Sequence, residues 1–489
     1  MADAKATASV ASQFLAAFVA NLISLASGYV VGWNAVSLPV LESNGTAGME
    51  QPLDRPLSKG ETSWMITLVI LISATGPSLC SLLSHRWGFK PAGYVAGSLV
   101  VLGGVIVVLA HSFPLLMLGR VVTCLGTGCT AVVSTTYING AAEDHVRGAL
   151  GTFFALMFNA GILVAYLVGA TSSYRIVCTG CFVIPLLYLI CFFFLPESPQ
   201  YLLSRGREDK AEKSLRWFRS AGHDVAQELE RLRADTDARS QDDGRTRMSL
   251  AEFLRDRACR LGTVTAIVLN LNQSLNGSPV VLSYVVQMFS EAENGVSAAW
   301  SAVVVAALQL LATFLSSALV DRAGRRPLLL ATNAGMALCL AGLGGYFFAK
   351  DSQVDVTAVW WLPVAAMSLL LVLNAIGIGA LLYVVINESF SPEALPIAVS
   401  IGFTAHTFIV TAVIKSYVVL LDWLGLYGCY WFFATCCILS NVYIFLFLPE
   451  TMNRPIADII SELSGKTKKK EKKLQCSPYD RVPVADTKT

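Results

Sequence analysis

The sequence predicts an all-α membrane protein of twelve transmembrane helices in two six-helix halves. Three observations predict it. First, 54% of the 489 residues are hydrophobic, only 14% are charged and mean hydropathy is +0.59, whereas a soluble globular chain carries about 25% charged residues. Second, apolar segments of about 20 residues, the length that crosses a hydrocarbon core, recur twelve times along the chain. Third, short signatures occur twice, at matched places in the two sixes.

In chain order, the predicted spans centre on residues 14–38, 63–84, 92–111, 115–137, 149–171, 175–195, 260–286, 298–320, 327–349, 359–387, 397–421 and 426–448. They are called spans 1 to 12 below. Residues 1–13 lack a basic leader and a small-residue cleavage site, so span 1 is expected to be retained and to target the chain. His85-Arg86-Trp87-Gly88-Phe89-Lys90 follows span 2, and Asp321-Arg322-Ala323-Gly324-Arg325-Arg326 follows span 8. Span 6 ends in Pro196-Glu197-Ser198 and span 12 in Pro449-Glu450-Thr451. Matched loops of this kind indicate internal duplication, the plan by which secondary carriers place a site at the bilayer midplane.

The division expected is residues 1–196 for the first half, 197–257 for a charged helical linker, 258–450 for the second half and 451–489 for a tail that is polar and disordered after Glu462. Helical patches in the linker fall around Ala211–Arg219 and Val225–Arg233. Arg86, Lys90, Arg147, Arg322, Arg325, Arg326 and the Lys466–Lys473 run share one side. The positive-inside rule makes that side cytoplasmic, with both termini inside. Asn44-Gly45-Thr46 then lies in the first outer loop as a glycosylation sequon. Cysteines are scattered through apolar segments and suggest buried thiols rather than disulfides. No metal-ligand spacing, cofactor motif or nucleotide-binding loop occurs, and no nucleophile, base and oxyanion donors assemble. Neither an enzyme nor a nucleic-acid partner is expected.

The stretch Leu269–Tyr284 inside span 7 is polar where lipid would forbid it: Asn270, Asn272, Gln273, Ser274 and Asn276. At helical spacing Asn270, Gln273, Asn276 or Gly277, Val280 and Tyr284 share a face. Gly277-Ser278-Pro279 is positioned to break the helix, which is tolerated at membrane depth only beside protein or a wet cavity. The stretch reads as the wall of a translocation pathway.

These residues resemble the sugar porter family of the major facilitator superfamily. The resemblance rests on Gly28-Tyr29 with Gly32, Gly119-Arg120, Arg147-Gly-Ala-Leu-Gly-Thr152, Pro196-Glu-Ser-Pro-Gln-Tyr-Leu-Leu203, Asp321-Arg-Ala-Gly-Arg-Arg326 and Pro449-Glu-Thr451. The third of these, followed by Phe153-Phe154, is similar to insect trehalose-transporter-like members. The resemblance implies the major facilitator fold, a plasma-membrane location and alternating-access transport of a small solute by a single chain in the lipid bilayer. It further implies a cytoplasmic gate drawn from Arg86, Arg147, Glu197, Asp321, Arg322, Arg325, Arg326, Glu388 and Glu450. Gly140 and Leu395 stand where relatives carry Glu and Arg, which predicts a looser inward latch.

Substrate positions implied by the resemblance are Gln273, Ser274, Asn276, Tyr284, Gln309, Tyr383 and His406. Several depart from the family pattern. Ser274 replaces a second Gln, Pro279 an Asn, Ala155 a Gln, Ala380-Leu381-Leu382-Tyr383 a Pro-x-Pro-Trp element, and Ala405-His406 an Asn-Trp pair. Val30 replaces the span 1 Asp of proton-coupled members, which implies facilitated diffusion. Gly119-Arg120 reads as helix packing with an end charge; Lys415 reads as snorkelling to the outer surface or as meeting an anionic cargo. The expected function is facilitated diffusion of a sugar or sugar-like solute. The alternatives are a non-sugar or more apolar cargo on the same fold, or a non-transporting sensor.

Overall fold

The computed structural model describes residues 2–43, 52–141, 150–219, 225–242, 250–292, 297–390 and 394–450. Asn44, Arg147 and the tail lie outside the described residues, as do the side chains of Asp321, Arg322 and Tyr383. Among the described residues ten helical runs are long and apolar enough to cross a bilayer. The count rises to twelve for two physical reasons. Span 7 is broken into Arg257–Leu275, which is long enough but too polar to count by itself, and Ser278–Ala292, which is too short at 15 residues. Spans 11 and 12 form one helical run, Leu395–Phe447, divided at Gly425, whose φ of 67° and ψ of 176° turn the chain between them.

The remaining spans are Ala2–Glu42, Lys59–Ser73 with Gly76–Trp87, Phe89–Val108, Phe113–Gly128 with Thr130–Ala141, Phe153–Thr171, Tyr174–Phe193, Ala298–Ala323, Arg325–Asp351, and Leu362–Ile376 with Ile378–Ser389. The interruption in span 2 precedes Pro77 and that in span 10 falls at Gly377. Within the first half span 1 packs along span 5, and span 3 packs on both span 4 and span 6. The helices of one six meet those of the other through spans 1 and 7, 2 and 11, and 5 and 8.

Within the first six, two glycines set the close approach of spans 1 and 5. A Cβ on Gly28 would lie 1.8 Å from the carbonyl oxygen of Phe158, and one on Gly161 would lie 2.0 Å from that of Leu25. Spans 1 and 5 therefore interlock backbone to backbone. Between spans 6 and 7 the chain forms helices Pro199–Ser204, Glu208–Phe218, Val225–Asp242 and Leu250–Arg255. Arg219 and Glu228 pair at 2.6 Å and pin the second of these to the third. Phe218 is fully buried against Tyr137 of span 4, and its carbonyl accepts from Gln13 of span 1 at 3.4 Å. The linker is docked on the first six helices.

Candidate solute pathway and gates

Span 7 breaks where its sequence lacks a helix-compatible residue. Gly277 has φ +81°, a left-handed conformation that costs little only for glycine. Asn276 then caps the second piece: its Oδ1 accepts from the Ser278 amide at 2.9 Å and from the Ser278 hydroxyl at 2.7 Å. Its Nδ2 donates to Asn374 Oδ1 in span 10 at 2.9 Å. Asn276 is wholly buried, and its hydrogen-bonding groups are engaged by the fold. The side chain implied as a substrate ligand thus holds the break open and ties it to span 10.

One to two turns before the break, polar atoms are left over. Asn270 donates to the Ala266 carbonyl at 2.7 Å, which fixes its Oδ1 as an acceptor with no partner among the described residues. Both polar atoms of Asn272 are buried and unpartnered, as is Gln273 Oε1. Ser274 donates to the Asn270 carbonyl at 2.8 Å and lies 3.5 Å from His406 Nδ1. Farther along, the Tyr284 hydroxyl is buried without a partner, its ring 5.2 Å from that of Tyr417. Each unpaired buried group costs about 1–3 kcal/mol, so such a cluster is stable only if water or solute completes it. The implied site set omitted Asn272; its signal was an Asn in mid-span.

Gln309 is engaged elsewhere. Its Nε2 donates to Asn159 Oδ1 at 3.0 Å, and Asn159 donates to Thr313 Oγ1 at 3.0 Å. This exchange joins span 5 to span 8 across the two sixes. Asn159 carries no motif and was not singled out in the sequence.

At the end of the bundle away from the loop arginines, the sixes are bridged by polar contacts. Glu42 at the end of span 1 accepts from Thr62 of span 2 at 2.8 Å and from Gln287 of span 7 at 2.9 Å. The Lys415 ammonium lies 3.4 Å from Ser63 Oγ and 4.3 Å from the Trp64 ring centre. A cation over an indole contributes about 0.5–2 kcal/mol, so Lys415 fastens span 11 to span 2. We call this the sealed end.

Arg120 is not an end charge. It is 1% exposed, donates to Asn34 Oδ1 at 2.5 Å and stands 4.5 Å over the Trp33 ring. It makes no ion pair among the described residues.

At the basic end the duplication becomes geometric. Glu197 accepts from the Lys90 amide at 3.1 and 3.2 Å; Glu450 accepts from the Arg325 and Arg326 amides at 3.0 and 3.1 Å. Each carboxylate therefore caps the N-terminus of the third span of its six, where the helix dipole favours negative charge. Burial pushes the Glu197 carboxyl above its usual range, against the opposing pull of the Ser198 and Lys90 amides. Lys90 Nζ and Arg326 Nη2 donate in turn to the Phe193 and Phe445 carbonyls. Arg325 also pairs with Glu388 of span 10 at 3.2 Å, while Arg86 is exposed.

Residues 16–462 match the family described as sugar (and other) transporter. The chain is 26% identical over 464 residues to the facilitated trehalose transporter Tret1 of Drosophila willistoni, covering 94% of this chain and 52% of that protein. It is 24% identical to that of Culex quinquefasciatus, covering 94% and 87%. The chain spans about half the length of most of the curated relatives it matches. Its fold is similar to the xylose transporter XylE from E. coli. The inward-open structure gives a TM-score of 0.74 at 20% identity over 92% of this chain and 99% of that one. The partially occluded inward-open structure gives 0.73 at 21% over 91% and 100%.

Proposed function

Because the chain belongs to the sugar (and other) transporter family, we propose that it carries a neutral, hydroxyl-bearing solute of the sugar class across the membrane by alternating access. The observation that carries this reading is the run of unpartnered amide atoms at Asn270, Asn272 and Gln273, beside a broken span. Acceptors without a neighbouring acid suit hydroxyl donors better than a cation. Gln273, Ser274, Tyr284, Tyr383 and His406 are the proposed remaining contacts, with Gln309 joining when spans 5 and 8 separate. The proposed halves are 1–196 and 258–450, working as one chain in the plasma membrane, with both termini cytoplasmic and Asn44 glycosylated outside. In that orientation the sealed end faces outward, and the state described is closed to the outside.

Proposed gate residues fall into two sets. Glu197 and Glu450 brace their own halves, and Arg325 with Glu388 forms the pair that changes as spans 9 and 10 shift. Single exposed pairs contribute about 0–1 kcal/mol, so the bias comes from the set, to which Arg86, Arg147, Asp321, Arg322 and Arg326 add charge.

Radiolabelled glucose and trehalose uptake with counterflow in oocytes tests the reading. Gln273→Ala is expected to lower uptake efficiency about tenfold, the effect of one lost solute hydrogen bond. No uptake of either sugar at confirmed surface expression rejects the sugar class. The engagement of Gln309 by Asn159, together with Ala155 and Pro279, favours a less hydroxylated cargo as the second reading. With Val30 in place of an acid, flux is expected to be flat from about pH 5.5 to 7.5, where a histidine titrates. A rise toward acid pH would indicate proton coupling instead.

A further inference from the structure

The two sixes differ at one seam. Aligned on Pro196-Glu197 and Pro449-Glu450, Tyr188 of span 6 corresponds to Asn441 of span 12, and Phe192 to Phe445. In the first six Tyr188 is fully buried and stacks on Phe192 at 4.9 Å. Both rings press against span 3, and a Cβ on Gly93 would lie 2.7 Å from the Tyr188 hydroxyl oxygen. That seam is plugged. In the second six the smaller Asn441 leaves a groove of about 680 Å³ between spans 9 and 12, walled by Leu330, Ala334, Ala337, Ile438 and Phe445. Phe192 is 0% exposed and Phe445 62%, so the aromatic that closes one seam stands at the rim of the other.

The groove has a polar mouth. Arg326 donates to the Phe445 carbonyl and lies 5.7 Å from the Phe445 ring centre, and its Nε is buried without a partner among the described residues. The guanidinium is thereby held at the basic end of an apolar channel. Asn441 sits four residues below Phe445, about 6 Å along the helix, and its Oδ1 is likewise unpartnered. These levels match those of a lipid whose phosphate meets Arg326: ester groups and their water at Asn441, acyl chain along the alanines. Basic pockets between membrane helices bind anionic headgroups on this principle.

We propose that the span 9–span 12 groove binds an anionic phospholipid, phosphate on Arg326 and one acyl chain between Ala334, Ala337 and Ile438. Occupancy wedges the seam that the first six closes with its own aromatics. In the orientation proposed above the lipid comes from the cytoplasmic leaflet, but the site itself does not depend on that orientation or on the cargo.

The test uses full-length protein in phosphatidylcholine nanodiscs, which offer both leaflets. They are doped with phosphatidylserine carrying a photoactivatable acyl chain, and labelled peptides are mapped by mass spectrometry. Label is expected to concentrate on residues 325–341 and 438–447, with the phosphatidylcholine analogue labelling them about fivefold less. Asn441→Tyr is expected to remove the label, and Ala337→Leu serves as an independent filler should the first variant fail to elute as a single species. Arg326→Gln is expected to equalise the two lipids while leaving acyl labelling in place. Equal labelling of the span 3–span 6 seam, label that survives both fillers, or a cross-linked second copy of the chain in place of lipid overturns the proposal.

Discussion

Asn276→Ala is expected to remove most transport and to lower thermal stability by about 2–4 kcal/mol. The substitution deletes the donor to Asn374, a residue only 7% exposed, and leaves that acceptor buried and unpaired. A group orphaned in this way costs about 1–3 kcal/mol. It also deletes the acceptor for the Ser278 amide, and loss of a helix cap costs about 1 kcal/mol. Because the same side chain sets the relation between the pieces of span 7, Gln273 is displaced as well. Asn276→Asp separates the two terms: it restores an acceptor for Ser278 but sets two oxygens against each other at Asn374. Thermal unfolding followed by fluorescence, with uptake measured in parallel, checks this. An Asn276→Ala protein with ordinary stability and uptake would contradict the structural role.

Gly28→Val is expected to give little or no folded protein. The Cβ would lie 1.8 Å from the Phe158 oxygen, and the obstacle is backbone, which cannot rotate aside as a side chain does. Overpacking in a core costs about 1–3 kcal/mol when side chains repack; here spans 1 and 5 must part along their length. Even Gly28→Ala should lower the melting temperature measurably, and Gly161→Ala should do the same from the facing helix. Size-exclusion profiles of fluorescent fusions read both. Unchanged profiles and melting for the two alanine variants would show that the interlock carries no stability.

What was legible in the sequence and what was not divides along physical lines. Span number follows from apolar length, and the break in span 7 from a Gly-Ser-Pro run in an apolar segment; both are local properties of the chain. The duplication was legible because Pro-Glu and the basic loops recur as short words, and the structure turns them into matching helix caps at Glu197 and Glu450. Partners distant in sequence were not legible. Asn276 and Asn374 lie 98 positions apart, and Asn159 and Gln309 150. Each looks like a free amide until its partner is seen. Arg120 misled for a related reason: beside Gly119 it reads as a helix-end charge, and only the packing of Trp33 and Asn34 shows it buried. Lys415 had two readings, and the Trp64 ring across the bundle favours a fastening role.

The left-handed turn at Gly277 has a kinetic consequence. It makes span 7 two rods on a joint rather than one beam, with Gln273 on the first and Gln287, gripped by Glu42, on the second. A beam would transmit every tilt of its far end to the recognition amides, so that opening and affinity rose and fell together. A jointed span lets the far rod swing while the near one keeps its register. On the proposed function, the rate at which the pathway admits solute is thereby uncoupled from the strength with which solute is held, so substitutions at Glu42, Thr62 and Gln287 are expected to change turnover without retuning the affinity proposed for Asn270, Asn272 and Gln273.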